Sequence, residues 1–410
     1  RPPPGHRSPP PPVATHPPRA LPMTPAAPLQ SLQSPPGPLP DPLVRASQAA
    51  EAIAATAPDR DQDRAFPAEA LRELRKAGLL TAPLPRALGG DGLSEHGHRY
   101  ALYRVLAEIG RASLPVGRLY EGHVNALELV LTYGTNRQRA RAARDAGNGH
   151  LFGVWNTEGP GGVQLAPCPG GSVRLSGAKT FCSGAGHVTR AFANGAWPDG
   201  GWQMVLVDLD GQDARVTPGS WAAEGMRAST SGRVDLSGLT VGPDALIGAP
   251  GDYLREPDFT GGAARFAAVH LGGARALAEA AAEHLRTLGR TEDTHQRARA
   301  GHIAIAVETG ALWLLGAAGV WEGHAAGEAD AEDAVAYAQM TRTAIERVCL
   351  DVLELADRSV GARGLLPPSP VERVGRDLRL YLRQPAPDAA LDAAGWAALN
   401  RPGHAVGSVP

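Results

Sequence analysis

From residue 42 to about residue 150, apolar residues recur every three or four positions, the spacing that lines one face of an α-helix. Between Phe66 and Gly78, Leu71, Leu74 and Ala77 keep this spacing, with Pro67 at the helix start and Gly78 just past its end. Leu84-Pro85 and Gly89-Gly90-Asp91-Gly92 predict a loop, and Ser94 is placed to cap the helix after it. Residues 98–109 and 120–133 are two further amphipathic runs. Near Leu151 the period shortens. Alternating segments at 151–155, 172–175, 188–192, 202–208 and 234–241 lie between Gly, Pro and Asp, which predicts short strands in a β domain ending near Phe259. From Gly261 the helical period returns, rich in alanine. It predicts helices over 265–288, 297–321 and 331–360, then a fourth that Pro370 opens and Pro385 stops. Gly272-Gly273 and Gly316-Ala317-Ala318-Gly319 read as close-packing positions of a bundle.

The expected fold class is therefore α+β: an N-terminal helical domain (42–150), a middle β-barrel-like domain (151–259) and a C-terminal four-helix bundle (260–400). Residues 1–41 are dominated by proline, as in Pro2-Pro3-Pro4 and Pro9-Pro10-Pro11-Pro12. Such a segment buries too little apolar surface to offset its ordering entropy, so a disordered or polyproline-like tail is expected there, and a short tail over 401–410. Met23 is a plausible start of the native chain, which leaves open whether residues 1–22 belong to it.

Composition narrows the function classes. The 410 residues carry a formal net charge of −2, and no block of Lys or Arg marks a nucleic-acid surface. Arg137, Arg139 and Arg141 read as one solvated helix face. Cys168, Cys182 and Cys349 are far apart and form no CxxC pair, which argues against a disulfide framework or zinc site and fits a reducing cytoplasm. No apolar run approaches the ~20 residues of a membrane span, and no signal-peptide pattern follows the N-terminal charges, so neither a membrane nor a nucleic-acid partner is expected. His96-Gly97-His98 follows Glu95 directly but lacks the ligand spacing of a metal motif, and reads as helix entry rather than a metal site. Gly159-Pro160-Gly161-Gly162 and Gly184-Ala185-Gly186 lack the following helix of a dinucleotide fingerprint.

Three segments at strand ends combine hydroxyls, glycines and backbone amides. They are Val154-Trp155-Asn156-Thr157-Glu158-Gly159-Pro160-Gly161-Gly162, Gly177-Ala178-Lys179-Thr180-Phe181-Cys182-Ser183-Gly184-Ala185 and Glu224-Gly225-Met226-Arg227-Ala228-Ser229-Thr230-Ser231-Gly232-Arg233-Val234. Each alone is an ordinary β turn. Together they suit a flat heteroaromatic ring with hydrogen-bonding edges. In this order and spacing they resemble the flavin-binding β domain of the acyl-CoA dehydrogenase family, and Pro370-Val371-Glu372-Arg373 with Arg376-Asp377 resembles its last helix hairpin.

The resemblance covers about residues 65–382 and implies FAD as cofactor. It implies that Asn156 and Thr157 hold the pyrimidine edge, Phe181 covers one ring face and Ser183 reaches N5, with Trp155 and Gly161 alongside. It further implies a homo-oligomer, dimer or tetramer, in which Arg286, Gln296, Gly361 and Gly364 meet a neighbouring subunit's FAD. A small-molecule substrate, an acyl-CoA among those expected, and an electron-accepting flavoprotein or a reductase would be its partners.

The catalytic residue is where the resemblance thins. Dehydrogenation of an acyl thioester needs a carboxylate to take the α proton while hydride passes to flavin N5. The two positions where the family holds that Glu are Pro385 and Ala264 here, with Asp258 and Asp388 the nearest carboxylates in sequence. A second branch of the same fold comprises two-component flavin-dependent monooxygenases with a Leu-His-Asp-Pro run. Leu382-Arg383-Gln384-Pro385 occupies that place, and Arg383 is no general base at neutral pH. The leading expectation is an acyl-CoA dehydrogenase-like oxidoreductase with an unassigned base. The alternatives are such a monooxygenase, or a scaffold without activity.

Overall fold

Asp41 starts the first helix: its carboxylate accepts the Leu43 N–H at 2.8 Å, and Pro42 fills the position that needs no N–H donor. The computed structural model describes residues 40–159, 161–210 and 215–401. Residues 1–39 of the Pro-rich tail, residues 402–410 of the C-terminal tail, Pro160 and residues 211–214 lie outside the described residues, whereas Asp41, expected in the tail, caps α1. Five helices come first: α1 (Pro42–Gln62), α2 (Ala68–Lys76), α3 (Arg99–Ala112), α4 (Leu114–Tyr133) and α5 (Asn136–Gly147). Ser94 does not cap α3. The chain makes turns through Gly97, and the Ser94 hydroxyl instead donates to Glu128 of α4 at 3.0 Å. The α4 helix begins earlier than its apolar pattern, because Ser113 and Pro115 provide its start. A reciprocal Thr135/Gln138 capping box opens α5.

The β region holds β1 (Phe152–Trp155), β2 (Gln164–Pro167), β3 (Val173–Ser176), β4 (Ala178–Cys182), β5 (Arg190–Ala196), β6 (Trp202–Asp208), β7 (Arg215–Val216), β8 (Gly232–Asp235), β9 (Thr240–Val241) and β10 (Leu246–Ile247). One sheet runs β10-β6-β5-β2-β3-β9, with β1 parallel to β5. The other runs β4-β8-β7. The single strand expected over 234–241 is two, because the chain turns at Ser237-Gly238 and changes sheet.

The remaining helices are α6 (Asp258–Gly261), α7 (Ala263–Thr287), α8 (Thr294–Ala325), α9 (Ala331–Gly364), α10 (Pro370–Tyr381) and α11 (Pro387–Asn400). The expected four-helix bundle thus gains a short entry helix and a fifth long one, α11, which packs on α9 beyond the turn at Pro385. One further correction concerns α8, which is long and apolar enough to cross a membrane by length and composition. Glu308 and His302 interrupt the run, so no unbroken apolar stretch announces it. In the fold α8 packs against α7 and α9, leaving Ile305, Leu312 and Leu315 exposed.

The N-terminal helices and the bundle share one core, in which α3 lies against α7. Small residues permit the approach. A Cβ at Gly272 would stand 2.0 Å from the Ala107 carbonyl oxygen. The sheets have their own core, and a third cluster, including Ala126, Val154, Phe192 and Ile247, joins α4 and α5 to the large sheet. His123 reinforces that joint: it pairs with the Leu80 carbonyl at 2.8 Å and accepts the Phe152 N–H at 3.2 Å. On the other side, Asp377 of α10 is 1% exposed and accepts the Met226 N–H at 2.6 Å. Beside it Arg376 holds Asp61 of α1 through its two terminal guanidinium nitrogens, at 2.7 and 3.1 Å. The Arg-Asp pair therefore joins three parts of the chain.

Candidate functional site

A crevice of about 420 Å³ opens between the end of β1, the bulge of β4 and the helices α4, α7, α9 and α10. That volume lies within the range of pockets that hold small molecules. Strand alternation decides which side chains face it. Val154 and Asn156 line it, whereas Trp155 points the other way into the β core and donates to the Ser183 carbonyl at 3.0 Å. Thr157 lines it too, with its own carbonyl accepting the Thr180 N–H at 2.8 Å. Phe181 reaches the crevice because β4 bulges between Lys179 and Cys182. Its φ of +53° is unusual for a bulky residue, and bulges beside functional sites commonly re-aim a side chain in this way. The ring is 43% exposed and meets Trp221 edge-on at 5.9 Å.

The structure thus brings Asn156, Thr157 and Phe181 together as the sequence predicts, but not all their companions. Ser183 is buried behind the strand, its hydroxyl 3.0 Å from Ser231, which is 2.7 Å from Ser229. Gly161 sits in a turn with φ +89°. Neither is part of the crevice wall. Arg286 lines a separate groove between α7 and α8, and its guanidinium pairs with Glu283. The buried Gln296 bonds the Ser359 carbonyl at 3.4 Å, near the end of α9, where Gly361 (φ 65°) and Gly364 terminate the helix. That groove shares no wall residue with the crevice.

Of the catalytic positions, Pro385 lines the crevice, while Ala264 is buried in the helical core beside Ala263, which does line it. Arg383 turns away to pair with Glu346, and Asp388 is exposed on the first turn of α11. Asp258 stands on the wall with its carboxylate accepting the Tyr133 hydroxyl at 2.8 Å.

The charged half of the wall escaped the sequence reading. Along α4, Arg118, Glu121, Asn125 and Leu129 follow one another at helical spacing on the crevice side. The Arg118 guanidinium donates to Glu121 at 2.7 Å. Arg265 of α7 lies 3.6 Å from Glu121 and donates to Asn125 at 2.8 Å, and also pairs with Glu128. Burial works against the Glu128 carboxylate, but Arg99 and Arg265 outweigh it and hold its pKa low. On the far wall are Arg342, 3% exposed, and Tyr381, 6% exposed. His270 packs edge-on against Tyr381 at 4.3 Å. Burial, then Arg342, Arg118 and Arg383, push its pKa down to about 3, so the imidazole is neutral. Charged residues inside a helix that is otherwise buried were the available signal.

The wall fits a flat cofactor with acceptor atoms. The Asn156 side-chain oxygen accepts the Asn194 N–H at 3.3 Å, and of the two hydrogens on its buried Nδ2 one is toward the Tyr253 hydroxyl and the other has no acceptor among the described residues. Such a donor calls for an acceptor from outside the chain. Thr157 adds a hydroxyl and Phe181 an aromatic face.

Comparison with known proteins agrees with this architecture. The acyl-CoA dehydrogenase N-terminal domain profile matches residues 44–150 and the C-terminal domain profile residues 264–382, together more than half of the chain. The chain belongs to the acyl-CoA dehydrogenase family. Within this family it is similar to dibenzothiophene monooxygenase of Rhodococcus erythropolis, 28% identical over 381 residues, covering 83% of this chain and 89% of that protein. Similarity to the mitochondrial short-chain specific acyl-CoA dehydrogenase of Bos taurus is 25% over 209 residues, 47% of this chain and 48% of that protein. Among solved structures, an FMN-bound dibenzothiophene monooxygenase from Paenibacillus sp. A11-2 shares the fold, with a TM-score of 0.79 and 24% identity over 88% of this chain and 97% of that one.

Proposed function

We propose that this family member is a flavin-dependent monooxygenase that takes reduced flavin from a separate reductase and oxygenates a small organic molecule. One observation carries the reading: likeness to a monooxygenase runs through most of the chain, while likeness to a dehydrogenase covers half of it. The crevice supports it. Neither position that holds the dehydrogenases' Glu bears a proton acceptor, since Pro385 and Ala264 stand there. FMN rather than the FAD first expected is the form proposed, because the related Paenibacillus enzyme was solved with FMN.

In this reading Asn156, Thr157 and Phe181 would hold the flavin, the first through its buried amide nitrogen, the second through its hydroxyl and the third through its ring. A reduced flavin held there would supply the two electrons needed to place one atom of O₂ in the substrate and release the other as water. The protein orients the substrate between α4 and α10 and holds the ring away from bulk water.

The test is oxygen transfer. The purified chain, supplied with reduced FMN by a reductase, is expected to place ¹⁸O from ¹⁸O₂ in a product from a panel of small aromatic and sulfur compounds. Anaerobic bleaching of bound flavin by acyl-CoAs, with no ¹⁸O product, would replace this reading by the dehydrogenase one. Separately, Asn156→Leu is expected to weaken FMN retention on gel filtration about fivefold, the equivalent of one hydrogen bond near 1 kcal/mol. Unchanged retention would remove Asn156 from the site.

A further inference from the structure

The inner wall of the crevice is built for a negative charge. Arg118, Arg265 and Arg342 all line it. The carboxylates nearby are shared rather than spare: Glu121 lies between Arg118 and Arg265, Glu128 between Arg99 and Arg265, and Glu346 between Arg342 and Arg383. Asp258 is engaged by Tyr133. Arg342 is also unsatisfied: its Nε is buried without a partner, while its other nitrogens reach Glu346 and the carbonyls of Leu382 and Pro385.

Tyr381 makes the same point independently. Its hydroxyl is buried on the crevice wall, where the Arg118 guanidinium donates to its oxygen and its own proton meets no acceptor among the described residues. Burial raises its pKa far more than the Arg118 charge lowers it, so the phenol keeps its proton and is a donor. The group beside it, Arg118, is also a donor. A neutral His270 closes the back of the ring and adds no negative charge. The Tyr381 proton and the remaining Arg118 N–H groups face one space in which the neighbouring carboxylate, Glu121, is already shared by Arg118 and Arg265, and such a pair is a fork for an oxyanion. The rest of the wall is apolar at Leu129, Val154, Phe259 and Phe266.

We propose that the substrate is a small organic acid, whose carboxylate or comparable oxyanion is bound between the Arg118 guanidinium and the Tyr381 hydroxyl while its apolar body lies toward Phe266. This rests on the monooxygenase reading for the word substrate, but the anion site itself does not need flavin. The same chemistry could serve the phosphate of FMN, and the experiment separates the two.

The probes are benzoate and its neutral analogue benzamide, titrated by calorimetry into the full chain with and without bound FMN. Benzoate is expected to bind about tenfold tighter than benzamide or better. Tyr381→Phe, which keeps the ring and removes only the hydroxyl, is expected to erase most of that preference. Arg118→Gln should erase it, and Arg118→Lys should restore part. Equal binding of the two probes, or a preference unchanged in Tyr381→Phe, would overturn the proposal. If the variants instead weaken FMN while leaving riboflavin binding intact, the anion is the cofactor's phosphate and the substrate assignment falls. Failure to retain any flavin, with the benzoate preference present, would sink the monooxygenase reading and leave the anion site standing.

Discussion

Asp377 is an acid buried at a junction, and its protonation should be measurable as stability. The side chain is 1% exposed, accepts the Met226 N–H at 2.6 Å and lies 3.8 Å from Arg376. Burial pushes its pKa up to about 7. The Met226 bond, Arg373 and Arg376 pull the other way, and Asp61 adds to the rise. The folded state therefore holds this proton more tightly than the unfolded chain, where an aspartate titrates near 3.9. Stability from this group is complete below that value and is lost as pH climbs through 7. A carboxyl displaced this far costs the folded state about 4 kcal/mol at pH 8, of which about 3 kcal/mol appears between pH 5 and 8. Asp377→Asn keeps an oxygen for Met226 and removes the titration. Urea unfolding of both proteins at pH 5, 6, 7 and 8 isolates the effect, since titrating groups distant from Asp377 cancel in the difference. The variant should gain on the native protein by about 3 kcal/mol over that range. A difference constant within about 0.5 kcal/mol would refute the buried-acid argument.

Gly272→Ala places a Cβ 2.0 Å from the Ala107 carbonyl and 2.7 Å from the Arg111 nitrogen, so α3 and α7 must separate. We expect a loss of about 3 kcal/mol, read as a lower urea midpoint at unchanged slope; a loss under about 0.5 kcal/mol would show the interface to be loose. For His123 the sign is opposite to that of Asp377. Burial lowers its pKa to about 4, so its stability is complete above pH 6.5 and is lost on acidification toward 4. His123→Gln should flatten about 3 kcal/mol of the acid dependence between pH 7 and 4, measured by unfolding midpoints; an unchanged profile would count against the neutral bridge.

Much of this fold is legible in the residues because its signals are local. The α7 and α9 helices carry long amphipathic patterns, Pro370 marks the start of α10, and residues 202–208 alternate as β6 does. The short partners were not legible. β7, β9 and β10 are two residues each, fixed by neighbours rather than by their own pattern. The flavin-like turn was visible at Asn156, Thr157 and Phe181. Its companion Trp155 was misplaced, since a motif read as a string ignores the alternation that sends every second side chain to the opposite face. The Arg118, Arg265, Arg342 and Tyr381 wall was out of reach for a different reason. It is assembled from four helices spread over more than 260 positions of chain, and each residue taken singly resembles a surface charge or a core aromatic.

Glu346 is gripped from two directions, by Arg342 within α9 and by Arg383 from the turn after α10. Arg342 in turn holds the Leu382 and Pro385 carbonyls. The deep wall and the outer lip are therefore fastened by one clasp of three side chains. Whatever draws Arg342 inward tugs the lip at Pro385 with it, so a molecule seated at depth would also narrow the doorway behind it.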